Sequence, residues 1–297
     1  MEYTTNKISE ATALTSAGEF NADMVMSTII LSWAFGGVNV FRTTEVPKDL
    51  RKDVIIFNIG EESARVTYRE NGVPYANCGK MWRSYGMRIE TIAKSKNPQM
   101  VWKILDEELI QGIDAVTQRY MPKVAYISQE MGICKLIEQF NSNWNEELPA
   151  DDRFDRACEF ADTIFENALA EAIARVEANE IVEKAIADST DGIMFLDKLM
   201  PFEKVLFASK NPKAKGIFFV IYQAQDKTWV CETVPTKEGG SYSRKHFPLD
   251  WLGASARLLQ EITGVRTAWS CDPNGKFCTT VYKEDAIALA NLVMSEE

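Results

Sequence analysis

The stretch Asp53-Val54-Ile55-Ile56-Phe57-Asn58-Ile59-Gly60 is the segment around which the rest of the chain can be arranged. Its four consecutive apolar residues, rich in β-branched types, predict a strand that is buried on both faces of a mostly parallel sheet. The apolar run ends at Asn58, and Gly60 follows as a turn residue. Because functional side chains gather at the carboxyl ends of strands in open α/β sheets, Asn58 is a candidate site residue. An amide is neither an acid nor a base at neutral pH, so this position indicates a site but not an activity.

The composition of the chain is that of an ordinary globular protein. Its 297 residues, 46% hydrophobic and 26% charged, suffice for two domains with buried cores. The net charge of −10 argues against bulk attraction to nucleic acid or to an anionic membrane, although a local basic patch could still exist. The single histidine, His246, excludes a metal site built from several histidine ligands.

The N-terminus and the cysteines indicate a cytoplasmic protein. Residues 1–17 are a polar lead-in without the pattern of a secretory signal, and the longest apolar run, residues 24–35, is too short to span a bilayer. The six cysteines contain no C-x-x-C pair. Cys271 and Cys278 could meet across a hairpin, but reduced, unpaired thiols are the favoured interpretation. We therefore expect a cytoplasmic location and no membrane partner.

The N-terminal half alternates predicted strands and helices. A helix over residues 23–33, ended by Gly36-Gly37, follows the lead-in, and Asp23 either caps this helix or lies in its first turn. Further strands are predicted at residues 38–43 and 65–68, and further helices at residues 75–94, 98–120 and 127–140.

The character of the sequence changes near Asp191, after a long helix whose apolar stripe runs from Phe154 to Val176 and is explained by core packing. Short strands are predicted at 193–196, 205–208, 216–222, 228–234, 267–271 and 277–282, with a turn at Asp226-Lys227 and helices at 252–262 and 284–294. The predicted fold class is α/β. An N-terminal domain with a mostly parallel sheet and flanking helices (1–150) is followed by a linking helix (151–190) and a smaller α+β C-terminal domain (191–297).

Several stretches of the chain follow one another in an order and spacing typical of one family. In the N-terminal half they are Gly18-x-Phe20-x-x-Asp23, Arg42-Thr43, Ile59-Gly60, residues 74–86 and Asp114-Ala115-Val116. In the C-terminal half they are residues 217–222, Trp229, Val234-Pro235, Ser243-Arg244-Lys245, Gly264-Val265 and the segment that begins at Lys283-Glu284. Together, over most of the chain, they resemble the Myg family (melanocyte-proliferating-gene proteins), relatives of the DHH phosphoesterases. No single match is specific.

The resemblance implies a DHH-like N-terminal domain and, for the family, metal-dependent phosphoesterase or RNA exonuclease activity with manganese as the usual metal. A pair of divalent ions needs histidines and aspartates from several loops. This chain departs from the family at nearly every such position, including the phosphate-holding segment that aligns with Cys278-Thr279-Thr280. The former metal-site positions are Asn21, Asp23, Asn58, Arg69, Glu70, Asn71 and Thr117. The resemblance therefore implies a catalytically degenerate member.

Three of these positions carry a charge. Asp23 could be a remaining ligand, but a helix cap is favoured. Glu70 could replace a lost histidine, but a surface turn residue is favoured. Arg69 could pair with a phosphate or, in place of a metal, with Asp23 or Glu70, although most turn arginines point to solvent.

Arg244 and Lys245, together with Arg42, are candidate anion-binding residues. A solvated loop is an equal alternative for the Arg244-Lys245 pair. His246 beside them has no carboxylate partner close in the sequence, so a surface residue is favoured over a general base.

Two hypotheses about function follow. The favoured one is a non-catalytic protein without a cofactor that binds a nucleotide, an RNA end or a protein partner through the inherited cleft. The alternative is an active metal-dependent phosphoesterase or RNA exonuclease with a rebuilt site, in which Asp23 and Glu70 weakly hold Mn²⁺ or Mg²⁺.

Overall fold

The computed structural model describes residues 2–60, 66–120, 132–143 and 149–295 of the protein. The chain divides into two compact units, residues 1–176 and residues 177–297. The helix Ala150–Asp188, 39 residues long, belongs to both.

A parallel three-stranded sheet lies at the centre of unit 1. Strand β1 (Ala13–Ser16) lies in the middle, with β2 (Val40–Thr43) on one side and β3 (Ile55–Ile56) on the other. Leu14 of β1 is opposite Phe41 and Ile56 in the two registers. The parallel sheet that the sequence predicts is confirmed.

The prediction that the stretch beginning at Asp53 is the doubly buried central strand is wrong. β3 is two residues long and lies at the edge of the sheet, and Ile56 is 40% exposed. The central strand lies in the segment interpreted as a polar lead-in, where Ala13 and Leu14 are fully buried. β1 is only four residues long, so its run of apolar residues is short. The polar residues on either side make this run hard to recognise as a strand from the sequence.

Helix α1 (Ala22–Phe35) follows β1 and supplies much of the core of unit 1. The side chain of Asn21 caps it by accepting a hydrogen bond from the backbone N–H of Met24 at 3.1 Å. Gly36 ends it in a left-handed conformation (φ 71°) that favours glycine. Asp23 therefore lies in the first turn, and the favoured interpretation that Asp23 caps the helix is wrong.

The rest of unit 1 is mainly helical, as predicted, but its helices are shorter and more interrupted. The segments are β4 (Thr67–Tyr68), β5 (Pro74–Tyr75), α2 (Asn77–Tyr85), α3 (Glu90–Ala93), α4 (Pro98–Leu105), α5 (Gln111–Thr117), α6 (Ile133–Glu138) and the first part of α7 (Ala150–Asp188). β4 pairs antiparallel with β5, apart from the parallel sheet. A π-helical turn, Asp106–Ile110, joins α4 to α5. Residue 65 of the predicted strand and residues 127–131 of the predicted helix lie outside the described residues.

Unit 2 contains a five-stranded sheet in the order β6-β7-β8-β10-β9. Its elements are β6 (Ile193–Lys198), α8 (Glu203–Ala208), β7 (Phe219–Gln223), β8 (Trp229–Thr233), α9 (Ala256–Thr263), β9 (Ala268–Cys271), β10 (Phe277–Thr280) and α10 (Lys283–Ser295). β6 runs parallel to β7, and the remaining pairs are antiparallel. The α+β character and both predicted hairpins are confirmed.

One element of unit 2 differs from its prediction: residues 203–208 form helix α8 instead of a strand. Phe202 and Leu206, four residues apart, are both buried in the same apolar cluster, which suits a helical spacing. Cys271 and Cys278 are opposite each other in the β9–β10 register, as the hairpin predicts, and both are free thiols.

No helix among the described residues is both long and apolar enough to cross a membrane.

Candidate functional site

Asp23 lies at the centre of a buried polar cluster in unit 1. Its side chain has no exposed surface. Oδ1 accepts a hydrogen bond from the backbone N–H of Cys78 at 2.6 Å. Oδ2 accepts hydrogen bonds from the side-chain amides of Asn58 at 2.5 Å and Asn77 at 3.2 Å. Both oxygens of this carboxylate are therefore satisfied by N–H donors of the protein.

Local chain geometry brings these donors to Asp23. Asn58 follows β3 and adopts a left-handed conformation (φ 54°), which asparagine tolerates better than most residues. Its amide nitrogen points to Asp23, while its Oδ1 is buried without a hydrogen-bond partner among the described residues. Asn77 and Cys78 form the first turn of α2, where backbone N–H groups lack partners within the helix and can bind a carboxylate.

Arg69 is buried beside this cluster, between two aspartates. Its Nε and Nη2 donate to the two oxygens of Asp106 at 3.1 and 2.8 Å, which is a bidentate pair. Its Nη1 lies 2.8 Å from Oδ2 of Asp114, which makes a second ion pair. The guanidinium also covers the ring of Tyr75 at 4.0 Å. The β4–β5 turn thus places a fixed cation against acidic groups from the α4–α5 region.

Asp114 connects the arginine to the Asp23 cluster. Its Oδ1 accepts hydrogen bonds from the thiol of Cys78 at 3.1 Å and from the backbone N–H of Gly79 at 3.0 Å. A Cβ at position 79 would lie 1.9 Å from Oδ2 of Asp114, so only glycine permits this approach. We call the residues Asp23, Asn58, Arg69, Asn77, Cys78, Asp106 and Asp114 the buried centre.

The protonation of the buried centre follows from burial and from its charges. Burial, reinforced by the charges of Asp23 and Asp114, raises the pKa of the Cys78 thiol well above its usual value. Burial also raises the pKa of Asp114, although the hydrogen bond from Cys78 and the contact with Arg69 oppose the shift. For Arg69, burial lowers the pKa, but the contacts with Asp106 and Asp114 outweigh it and the net pKa is raised. Arg69 is therefore a permanent cation and Cys78 a neutral thiol at neutral pH.

The residues at this centre do not fit a divalent metal in the described arrangement. Among the described residues, Asp23, Cys78 and Asp114 offer one ligand atom each within 4.8 Å of one another. However, both oxygens of Asp23 accept hydrogen bonds, Asp114 faces Arg69, and a thiol must lose its proton before it binds a metal.

The structure brings together only part of the site that the sequence predicts. Glu70 and Asn71 are exposed, and Thr117 is half-buried at the end of α5. Asn71 reaches the buried centre indirectly, because its amide donates to Gln111 at 2.9 Å and Gln111 donates to Asp106 at 2.9 Å. Asn21 is a helix cap.

The acids next to Arg69 are Asp106 and Asp114, not Asp23 or Glu70 as the sequence leads us to expect. The idea that Arg69 points to solvent is also wrong, because its side chain is 5% exposed. From the sequence, Asp114 is part of a family match only, and Asp106, Asn77 and Cys78 are not predicted as site residues. A buried arginine requires carboxylate partners. Had Arg69 been predicted as buried, this requirement would have directed a search for its acidic partners.

The predicted anion-binding residues are engaged by the protein. Nη1 of Arg244 donates to the carbonyls of Ala214 and Ile217 at 2.7 and 2.8 Å, and Lys245 donates to the carbonyl of Val293 at 3.3 Å. His246 is exposed. An anion-binding role for Arg244 and Lys245 stays a prediction.

Arg42 is 8% exposed and makes its contacts with other residues of unit 1. It bonds the carbonyls of Gly18 and Ala150 and the carboxylate of Asp151, and its guanidinium lies 4.7 Å from the ring centre of Phe154. These contacts tie the end of β2 to the start of α7, and binding of an external anion by Arg42 stays a prediction.

The chain matches a protein-family model over most of its length. The family model MYG1_exonuc, described as "Uncharacterised protein family (UPF0160)", matches residues 12–294. The chain belongs to this family. No curated protein and no solved structure matches it. The name of the MYG1 family model points to exonuclease chemistry, and in this MYG1-family chain the buried centre holds an arginine ion pair where the resemblance implies metal ligands.

Proposed function

We propose that this MYG1-family chain does not hydrolyse phosphoesters and acts by binding. The observation that carries the proposal is the position of Arg69, which is buried and held by Asp106 and Asp114 next to the Asp23 cluster. A guanidinium at this position supplies the positive charge that the surrounding carboxylates require.

The charge of Arg69 argues against metal-dependent hydrolysis. A divalent cation bound by Asp23 and Asp114 would have to share Asp114 with a permanent cation, and like charges repel strongly where little water is present. The amides of Asn58 and Asn77 are neutral, so they add no negative charge to balance a pair of divalent metal ions. Both points favour binding over metal-dependent hydrolysis as the function of the chain.

The alternative, an active metal-dependent phosphoesterase or exonuclease, has one observation in its favour. The close approach of ligand atoms from Asp23, Cys78 and Asp114 resembles a small metal site. Metal binding there would require Cys78 to lose its proton and Arg69 to leave Asp114. Glu70, the ligand that the sequence offers for this alternative, is exposed and is not in this group.

The proposal is tested by metal content and by nuclease activity of the full chain. We expect no stoichiometric Mn, Fe or Zn after dialysis, and no Mn²⁺-dependent shortening of RNA or DNA oligomers. The control is the variant Asp23→Asn, because activity that persists in this variant comes from a contaminating nuclease.

Two results would contradict the proposal. One is stoichiometric metal in the dialysed wild-type protein. The other is a ladder of products that scales with protein, disappears with chelator and is absent from Asp23→Asn. The predicted ligand classes, a nucleotide, an RNA end or a protein partner, and the predicted cytoplasmic location remain parts of this proposal.

A further inference from the structure

Three cysteines lie side by side across the sheet of unit 2. Cys278 of β10 is opposite Cys231 of β8 on one side and opposite Cys271 of β9 on the other. Residues that are directly opposite each other in a sheet point to the same face, and all three side chains belong to the same apolar cluster. Cys278 therefore has a neighbouring thiol on each side.

The register favours Cys271 as the partner of Cys278. The backbone N–H of Asp272 donates to the carbonyl of Phe277 at 2.9 Å, so the pair of residues next to these two cysteines is hydrogen-bonded. The carbonyl of Cys271 points away from β10 and accepts from the N–H of Gly253 at 3.1 Å. Hydrogen-bonded and non-hydrogen-bonded pairs alternate in an antiparallel ladder. Cys271 and Cys278 are therefore a non-hydrogen-bonded pair, in which opposite side chains approach each other more closely.

The pair of Cys278 with Cys231 is of the other kind. The N–H of Thr233 donates to the carbonyl of Lys276 at 2.8 Å, so Cys231 and Cys278, two residues further along each strand, are again a hydrogen-bonded pair. The Cα atoms of such a pair are about 5.5 Å apart, against about 4.5 Å in a non-hydrogen-bonded pair. A disulfide needs its Cβ atoms within about 3.5–4.5 Å of each other, which the closer pair reaches with less movement of the backbone.

Cys271 is the thiol of this row that a small oxidant reaches first. It is 3% exposed, whereas Cys231 and Cys278 are fully buried. It also directly precedes the hairpin turn, in which Pro273 and Asn274 are exposed. Contact with the Cys278 thiol lowers the pKa of Cys271, while burial raises the pKa of Cys278. Cys271 is therefore placed as the nucleophile, and Cys278 as the second thiol that reacts with its oxidised form.

We propose that Cys271 and Cys278 form a cross-strand disulfide when the folded protein meets hydrogen peroxide. The Cys271 thiolate attacks one peroxide oxygen, the O–O bond breaks, and the released hydroxide takes up the thiol proton to form water, which leaves a sulfenic acid on Cys271. The sulfur of Cys278 then attacks the sulfenic sulfur, the S–O bond breaks, and the hydroxyl leaves with the Cys278 proton as a second water. Two thiols thus give up two electrons to one peroxide. The new bond closes the β9–β10 hairpin covalently, in a part of the protein separate from the buried centre of unit 1.

The test is treatment of the folded full chain with hydrogen peroxide. The peroxide is then removed with catalase, the remaining thiols are alkylated under denaturing conditions, and a non-reduced tryptic digest is analysed by mass spectrometry. Trypsin cleaves after Lys276, between the two cysteines, so the disulfide joins the peptides 267–276 and 277–283. We expect this linked pair, lighter by two hydrogen atoms than its two reduced peptides together, and we expect a reductant to separate it. The protein should lose two of its six alkylatable thiols at the same time.

Two variants distinguish this pair from its neighbour. Cys231→Ala removes the thiol on the other side of Cys278 and should leave the yield of the linked peptides unchanged. Cys278→Ala should abolish the link and leave a sulfenic acid on Cys271, which a dimedone probe detects.

The result for the wild type decides the matter even if a variant folds poorly. The proposal is overturned if the folded wild type gives no linked peptides under conditions that fully oxidise a peptide thiol added to the same sample. It is also overturned if Cys278 is linked to Cys231 instead, or if the link forms only after the protein has been unfolded in urea.

Discussion

Replacing Arg69 by methionine tests whether the buried centre depends on an internal cation. The change keeps much of the side-chain volume but removes the charge between Asp106 and Asp114, whose side chains are 8% and 0% exposed. Removal of one partner from a buried ion pair typically costs about 3–5 kcal/mol, because the remaining charge has no compensation. We expect a loss of this size in the free energy of unfolding, measured by urea titration with circular dichroism.

The matched control is Arg175→Met. Arg175 also contacts two acids, Glu108 at 2.6 Å and Glu171, but its side chain is 30% exposed and both acids are more exposed still. Exposed ion pairs contribute about 0–1 kcal/mol. Because both variants lose one positive charge and two ionic contacts, the difference between them measures the effect of burial.

The dependence of this loss on pH follows from Asp114. Burial raises the pKa of this carboxyl and the contact with Arg69 opposes the shift, so without Arg69 its pKa in the folded state lies further above the value in the unfolded state. Such groups favour folding below the unfolded pKa and lose that contribution as the pH rises through the folded pKa. The deficit of Arg69→Met should therefore be larger at about pH 8 than at about pH 5.

The triple variant Arg69→Met, Asp106→Asn, Asp114→Asn keeps the test decisive even if the single variant folds poorly. It removes the uncompensated charges, so it should recover a large part of the lost stability. The reasoning is refuted if Arg69→Met costs no more than Arg175→Met, or if the triple variant is no more stable than the single one.

Three further predictions concern individual positions. Gly79→Ala should cost about 1–3 kcal/mol in unfolding free energy, because its Cβ would meet the buried carboxylate of Asp114. Gly112→Ala should stabilise by up to about 1 kcal/mol, because among the described residues nothing outside the local helix backbone lies within 4 Å of its Cβ. Equal effects of the two changes in urea titration would contradict this. Burial raises the pKa of Glu232, so its ionised form disfavours the fold and stability is lost as the pH rises through this pKa. The variant Glu232→Gln should therefore gain stability relative to the wild type as the pH is raised from about 4 to about 8. A difference in stability that does not change with pH would refute the shift. Arg244→Ala should lower the free energy of unfolding by about 1.5–3 kcal/mol, because two carbonyls lose a charged donor. The exposed control Arg257→Ala should lower it by less than about 0.5 kcal/mol. Equal melting temperatures of the two variants would show that the Arg244 bonds contribute nothing.

The parts of the fold that the sequence predicts well have strong local signals. Helix α1 has its terminal glycines, although its cap is Asn21 and not Asp23. The hairpins of unit 2 have turn residues between β-branched runs. Where the local signal is weak, tertiary packing decides. The four residues of β1 are the middle strand because neighbours pair with them on both sides, whereas the stronger apolar run after Asp53 supplies only the edge.

The buried centre could be predicted only as a set of changed positions. Asp23, Asn58 and Arg69 were identified because they stand where the family resemblance implies metal ligands, and the first two of them do make contact. Their other partners are set by tertiary structure. Asp106, which binds Arg69 with both oxygens, lies 37 residues away along the chain, in a π-helical turn that no local pattern indicates.

The arrangement of the buried centre explains why several positions differ together from the metal ligands that the family resemblance implies. A carboxylate such as Asp23 can be kept in a buried site only if something balances its charge, and here three N–H donors do so where the resemblance implies a metal. An arginine at position 69 is compatible with the same site only if carboxylates such as Asp106 and Asp114 face it. Each substitution is therefore stable only in the presence of the others. It follows that Arg69→Asp alone should not create a metal site, because it adds a fourth buried acid to Asp23, Asp106 and Asp114 without removing the amides. Calorimetric titration of that variant with Mn²⁺ should give no binding heat. A stoichiometric Mn²⁺ site in Arg69→Asp would show instead that the arginine alone keeps the metal out.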